Sequence, residues 1–309
     1  MALTVRGRPL TPKVVADAVV SRANYYFLHP VVGQLPRMVW GNDAGLRGNI
    51  RGRAEIAAAQ RAWQDEHGGS PPEATPEATH IHEHGYVKID PEYAPGAFER
   101  VRKSYQELIA SDEGSRWNGV GAHRQASRAI NQAAKNLDGV EGLLTPRIQR
   151  TFEAYYGGGF EVTEVRAWRT RHVPGLDDQS EAYSNQWHND RFPISLMRFF
   201  IYLSDGVTRD TGAFRLHPIA HTQEVVRSGG YLRRSLILPK ARRALEDESR
   251  IVFFEGDAGA ACLANVQLCL HRAGIPKEGY ERDIMQFTLR PSKKPLSKRW
   301  IEEIPHDPL

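Results

Sequence analysis

The sequence predicts a mainly β protein, a barrel or jelly roll, with helices gathered toward its N-terminal side. Three observations predict it. From residue 160 onward, apolar residues recur with a period of two over 160–168, 196–203, 251–254, 260–270 and 284–289, the period of strands. Gly-, Pro- and Asp-rich turns separate these stretches, and the chain carries 27 Gly and 19 Pro, which suits a loop-rich β architecture better than a helical bundle. Before residue 160 the apolar spacing is largely helical.

The N-terminal elements follow from the same rules. Residues 10–28 read as a helix, because Thr11-Pro12 is a start signal and Val14, Val15, Ala18 and Val19 recur at helical spacing. Residues 53–66 read as a second helix, ended by Gly68-Gly69. The stretch Ser70-Pro71-Pro72-Glu73-Ala74-Thr75-Pro76-Glu77 is a Pro-rich polar linker. It predicts a helical extension over 1–75, a barrel domain over 76–295 and a tail over 296–309. Gly85 to Ile89 reads as a strand, and 95–110 as an amphipathic helix carrying Phe98, Val101, Tyr105 and Leu108. Residues 125–150 look partly helical, broken at Gly139 and Gly142. No internal repeat is present.

Charge and cysteine usage bound the function. The net charge is +4 with both signs interspersed, as on a solvated surface. The C-terminal group Lys293, Lys294, Lys298 and Arg299 is short and broken by Pro295, so neither a nucleic-acid nor a membrane partner is expected. Apolar runs fall far below the roughly 20 residues needed to span a bilayer, and the N-terminus lacks a signal-peptide core. Cys262 and Cys269 form no Cys-x-x-Cys pair. That predicts no disulfide framework, no zinc site and a cytoplasmic location.

Chemistry concentrates in Ser184-Asn185-Gln186-Trp187-His188-Asn189-Asp190-Arg191-Phe192-Pro193. His188 and Asp190 are two apart, so an extended backbone points both the same way. An imidazole and a carboxylate on one side make two thirds of a 2-His-1-carboxylate facial triad. A surface hydrogen-bonded pair would look the same. The third donor must come from a distant strand, and His271 closes the apolar run that starts at Cys262. A core histidine bonded to backbone is the bland alternative. Arg282 precedes the strand 284–289 and there requires an anion. The distal carboxylate of 2-oxoglutarate would serve, as would a salt bridge to Glu281 or Asp283.

Taken together, these segments resemble the phytanoyl-CoA dioxygenase family of iron(II)/2-oxoglutarate oxygenases over roughly residues 80–291. Residues 82–89 resemble its opening strand, and Gln186 to Asp190 its His-x-Asp segment. Tyr202-Leu203-Ser204-Asp205 and Asp210-Thr211-Gly212-Ala213-Phe214-Arg215 resemble its central strand and turn. His271-Arg272-Ala273-Gly274 and Arg282 match its distal histidine and co-substrate arginine. Two departures stand out. Ile219-Ala220 replace the usual Gly-Ser between Pro218 and His221, and Ala273 replaces a hydroxyl residue.

The resemblance implies a double-stranded β-helix, a cupin-like jelly-roll barrel. It also implies iron(II) on His188, Asp190 and His271, with 2-oxoglutarate held by Arg282. With Ala273 in place of the hydroxyl, Asn185 or Thr288 is left to supply that hydrogen bond, and Arg171 is the basic residue expected to approach the co-substrate. O2 is the oxidant, succinate and CO2 are released, and a small organic molecule is hydroxylated. Asp190 stands where related halogenases have Gly or Ala, which argues against halogenation.

Two other readings stay open: a cupin-like metalloenzyme that does not use 2-oxoglutarate, and a non-catalytic relative acting as a binding protein. The N-terminal extension is open to covering the barrel or to mediating a homodimer. Other histidines draw less weight. His80, His82 and His84 alternate on an expected strand, where three imidazoles could bind zinc or nickel or stand solvated. His217 and His221 lack a following Arg at the right spacing. Arg166 and Trp168 should share one face of their strand, with Arg169 and Arg171 on the other. Trp187 reads as a packing residue.

Overall fold

Alternating burial along the long strands sorts the chain into layers. The structure, a computed structural model, describes Thr4–Val5, Arg8–Pro9 and residues 45–304, except 120, 177–181, 191–192, 228–230, 234–235 and 238. The helix expected over 10–28 lies outside the described residues, as do Arg191 and Phe192. The barrel strands, in chain order, are β1 (Tyr86–Ile89), β2 (Ser115–Trp117), β3 (Ser127–Ile130), β4 (Phe160–Arg171), β5 (Met197–Tyr202), β6 (Arg215–Leu216), β7 (Val252–Phe253), β8 (Ala261–Ala264), β9 (His271–Arg272) and β10 (Glu281–Pro291).

Among the described residues, seven strands form one antiparallel sheet in the order β1-β8-β5-β10-β4-β3-β2, and three form a second in the order β7-β6-β9. The last strand, β10, lies between β4 and β5. Such chain-order crossings between two facing sheets make a jelly roll.

The outer face of the large sheet is the main core. Met197, Phe199 and Ile201 of β5 and Met285, Phe287 and Leu289 of β10 point there. They pack on Tyr105 of helix α3 (Ala97–Ala110) and on Phe152 and Tyr156 of α4 (Pro146–Tyr156). Each such side chain contributes about 1.5–3 kcal/mol by leaving water. The intervening residues Phe200, Tyr202 and Ile284 face inward, toward the small sheet.

One extra residue decides what β4 shows to the interior. Pairing with β10 shifts register between Thr288 and Leu289, which stand opposite Glu164 and Val162. Thr163 is the unpaired residue of this bulge. Phe160 and Val162 therefore point at the helices, and so do Val165 and Ala167. The bulge turns Glu164, Arg166 and Trp168 inward, because a one-residue slip exchanges the faces of a strand.

Two expectations need correction. The strand expected over 260–270 stops at Ala264. Asn265 Oδ1 accepts from the backbone N–H groups of Gln267 and Leu268, both at 3.1 Å, and makes a tight turn; pairing resumes at His271. The strand expected at His80, His82 and His84 is instead the end of helix α2 (Pro76–His84). Thr75 caps it by accepting from Ala78 N, Pro76 occupies its first turn, and Gly85 ends it with φ +86°. The linker thus ends at residue 75. His80 and His84 share one face with ring centroids 4.3 Å apart, while His82 stacks on Tyr155 at 4.8 Å. No side chain fits at residue 85, where a Cβ would lie 2.3 Å from Cys269 Sγ.

Helix α1 (Gly45–Glu66) docks on the barrel domain. Ser195 donates to its Glu55 at 2.6 Å, and Gln60 donates to the Tyr156 carbonyl at 3.1 Å.

Candidate metal centre and adjoining cavity

His188 and His271 come together by backbone pairing. The segment 186–190 lies beside β9, with His188 opposite His271. Asp190 follows two residues later, its N–H bonded to the Val266 carbonyl at 3.2 Å. The three side chains offer donor atoms within 4.8 Å of one another, the only such group among the described residues. Asp190 Oδ1 lies 3.5 Å from His188 Nε2 and 3.8 Å from His271 Nε2.

Tautomers favour a metal. His188 Nδ1 donates to the Gln186 carbonyl at 2.7 Å, and His271 Nδ1 donates to the Cys269 carbonyl at 3.1 Å. In its neutral form each ring then presents the Nε2 lone pair toward Asp190. Burial, with His188 beside it, pushes the His271 imidazole down to about 3, so it is neutral at pH 7. Burial alone would raise the Asp190 carboxyl; His188, His271 and Arg198 outweigh it and hold Asp190 well below the usual carboxylate range. Two neutral imidazoles and one carboxylate are the donor set of a divalent-metal facial site.

The triad opens on a cavity of about 410 Å³ between the two sheets. Arg282 lines it and is 1% exposed. One of its nitrogens donates to the Gly212 carbonyl, while its Nε is buried with no partner. Burial lowers this guanidinium from its ordinary value. The alternative salt bridge is not made: Asp283 points the other way, accepting from Arg169 (2.7 and 2.8 Å), Tyr105 (3.0 Å) and Gln106 (3.1 Å). Glu281 pairs with Arg169 at 3.0 Å. Arg282 is therefore a buried cation without a carboxylate partner among the described residues.

Three expected co-substrate residues stand elsewhere. Asn185 is buried, but its Oδ1 accepts from Ala182 N (2.8 Å) and Tyr183 N (3.3 Å), which holds its own loop. Thr288 is buried and bonds the lining residues Arg198 and Glu164. Arg171 donates to the Gln125 carbonyl at 2.9 Å and lies over Trp117 at 4.5 Å. None of the three lines the cavity.

Ser184, quoted in the sequence motif but given no role, does line it. Its carbonyl accepts from Ala273 N at 2.9 Å, so its hydroxyl stands on the segment facing the residue where the resemblance expected one. Ser184 has φ +66°, a sparsely populated conformation for a serine.

Arg198 is the principal residue that sequence reasoning missed. Its Nη2 lies 3.2 Å from Asp190 Oδ2 and its Nη1 lies 3.4 Å from Glu164 Oε2. Asp190 thus turns Oδ1 to the histidines and Oδ2 to Arg198. The signal was a lone charge in the apolar strand Met197–Tyr202. Trp187 is a packing residue, its ring tilted against His217 with centroids 4.4 Å apart and its Nε1 donating to Glu246 at 3.1 Å. His217 and His221 bond each other at 2.8 Å, away from the triad.

No family model and no curated protein matches the chain. Solved structures do. EctD from S. alaskensis with 2-oxoglutarate and 5-hydroxyectoine is 14% identical, with a TM-score of 0.53 covering 78% of this chain and 86% of EctD. Its apoform is 13% identical, with a TM-score of 0.51 covering 75% and 81%. The epimerase SnoN, in complex with Fe3+, alpha ketoglutarate and nogalamycin RO, is 16% identical, with a TM-score of 0.49 covering 69% and 82%. The likeness to EctD shows the fold: a double-stranded β-helix with flanking helices. On that fold, this chain carries a His-Asp-His set opening on a cavity with a buried arginine.

Proposed function

We propose that this chain is an iron(II)- and 2-oxoglutarate-dependent oxygenase that oxidises a small organic molecule. One observation carries the proposal. A three-donor metal set and a buried guanidinium lacking a carboxylate partner line the same cavity. A facial triad alone would suit several metals and many reactions. An unneutralised buried cation beside it specifies an anionic co-ligand, and 2-oxoglutarate has one carboxylate to spare for it. The second reading, a cupin-like enzyme without 2-oxoglutarate, leaves Arg282 unexplained.

The residues divide the work as follows. His188, Asp190 and His271 would hold the metal, with both imidazoles fixed in tautomer by backbone carbonyls. Arg282 would bind the distal carboxylate of 2-oxoglutarate, and Ser184 offers a hydroxyl in the same cavity. Bound iron(II) with 2-oxoglutarate and O2 would supply the oxidation, with release of succinate and CO2. Arg198 bridges Asp190 and Glu164 and keeps Oδ1 of Asp190 turned to the histidines. Phe200, Phe214, Val266 and Ile284 give the cavity apolar walls, which limit water around the reacting groups.

The finer readings belong to the same proposal. Hydroxylation is the expected outcome, and membership of the phytanoyl-CoA dioxygenase family is supported by the ordered segments from His82 to Arg282. Residues 76–295 form the oxygenase domain, with 1–75 as extension. A cytoplasmic location agrees with two buried free cysteines, whose thiols burial pushes up and makes unreactive. Among the described residues no helix is long and apolar enough to cross a membrane.

The test is stoichiometric. Protein, iron(II), ascorbate and labelled 2-oxoglutarate in air should release labelled CO2 and equimolar succinate above a no-protein control. Release should stop without iron. Release equal to the control under all conditions would remove 2-oxoglutarate from the reading.

A further inference from the structure

The described residues lining the cavity include three guanidiniums, Arg166, Arg198 and Arg282, and two carboxylates, Glu164 and Asp190. Sheet register arranges them in rows. Glu164, Thr288 and Arg198 stand abreast, then Arg166, Gln286 and Phe200, then Trp168, Ile284 and Tyr202; Arg282 stands beyond, beside Thr170. Arg198 touches both carboxylates and is their counter-ion. Arg282 lies four residues from Gln286 along β10, roughly 13 Å of strand, across an apolar row. Arg166 and Arg282 are thus far enough apart to serve separate anions.

Arg166 is the arginine left over. Its Nε is closed off from solvent and has no hydrogen-bond partner. Glu164 Oε1 lies 3.9 Å away, a long ion pair beyond hydrogen-bond reach, and the same carboxylate already accepts from Thr288 at 2.9 Å. On the neighbouring wall Asn118 Oδ1 is also buried without a partner. Three positive and two negative lining groups leave one positive charge in excess. A divalent metal and a doubly charged 2-oxoglutarate cancel each other, so the excess survives their binding.

We infer that the primary substrate is a small monocarboxylic acid whose carboxylate is held by Arg166. Its apolar body lies against Trp168 and Phe200, and a neutral hydrogen-bond donor meets Asn118. Arginine matches a carboxylate with two parallel N–H donors. An ammonium group finds no free partner, because Arg198 engages both carboxylates. A doubly charged phosphate exceeds the single surplus charge. The inference rests on the function proposed above for the metal set and for Arg282.

The test uses full-length protein loaded with iron(II) and saturating 2-oxoglutarate under anaerobic conditions. A panel of small carboxylic acids, each paired with its own primary amide, is titrated by ligand-observed NMR and thermal shift. The best acids should bind at least tenfold more tightly than their amides. Arg166→Gln should weaken those acids tenfold or more while shifting the amides less than twofold, and Arg166→Lys should retain more acid affinity than Arg166→Gln. Amides binding as tightly as acids across the panel, or Arg166→Gln binding acids like the wild type, would overturn the inference. The visible absorption of the iron–2-oxoglutarate complex, read in the same samples, separates the two levels. If it forms and no acid is preferred, only the substrate inference fails. If it does not form and acids are still preferred, the anion site stands and the co-substrate reading fails.

Discussion

His188 and His271, 83 residues apart in the chain, exchange both backbone hydrogen bonds, N–H to O=C at 3.0 and 2.9 Å. Residues directly opposite in an antiparallel pair send their side chains to the same side, and the two rings lie 4.2 Å apart between centroids. The backbone pairing, not side-chain adjustment alone, brings the rings together. His271→Ala should therefore lose metal affinity without unfolding. The loss should exceed the roughly 10- to 100-fold typical of changes beyond the ligands themselves. Iron(II) or cobalt(II) titration calorimetry reads the affinity, and circular dichroism should show the native fold.

Arg282 makes opposite demands on the empty and the loaded protein. Replacing an unpaired buried cation with an apolar side chain of similar length removes a desolvation cost. Arg282→Met should melt at a higher temperature than the wild type when metal and 2-oxoglutarate are absent. With metal present it should lose about 2–5 kcal/mol of 2-oxoglutarate binding, the range for truncating one partner of a buried charge pair. Thermal shift with and without 2-oxoglutarate checks both halves.

Arg198 separates charge from geometry. Arg198→Met leaves Asp190 and Glu164 as neighbouring half-buried carboxylates with no shared cation. That should destabilise the metal-free protein by about 1–3 kcal/mol, less than for a fully buried pair because solvent screens both groups. Arg198→Lys keeps the charge but cannot span both carboxylates, so its stability should lie between the two. Added divalent metal should recover part of the loss in both variants, because it restores positive charge at Asp190. Denaturant melts with and without metal provide the comparison.

The His217–His221 pair sets an acid limit on stability. His217 is buried, with its Nε2 3.1 Å from the Leu245 carbonyl and its Nδ1 2.8 Å from His221 Nδ1 and 3.2 Å from the Arg250 carbonyl. Burial, with His221 beside it, pushes its pKa down to about 4 from the ordinary 6.5. The folded value is the lower one, so the contribution is present above pH 6.5 and is lost as pH falls through 4. Melting temperature should decline across that window, and less steeply in His217→Asn. Equal slopes in the two proteins would remove His217 as a cause.

What the sequence made legible follows from chain-local rules. Period-two stretches, the His-x-Asp spacing, His271 at the end of an apolar run and Arg282 before a strand each show within a dozen residues. The helix at 76–84 was equally legible, because Thr75-Pro76 and Gly85 are its cap signals, but the prolines before it masked them. Other features depend on pairing between distant segments. The bulge at Thr163 exists only against β10, and it alone decides that Glu164, Arg166 and Trp168 face the cavity. Arg198 gains its meaning from Asp190 and Glu164, and Ser184 from Ala273. Asn185 and Thr288 looked available for a ligand, yet each is used to hold neighbouring protein groups.

The most direct measurement is the visible spectrum of the protein mixed anaerobically with iron(II) and 2-oxoglutarate. The wild type should develop the charge-transfer absorption of the metal–2-oxoglutarate complex; His188→Ala and His271→Ala should not, and Arg282→Met should need far more 2-oxoglutarate to reach it. No absorption in the wild type, or undiminished absorption in His188→Ala, would contradict the assignment of His188, Asp190 and His271 as the metal's ligands.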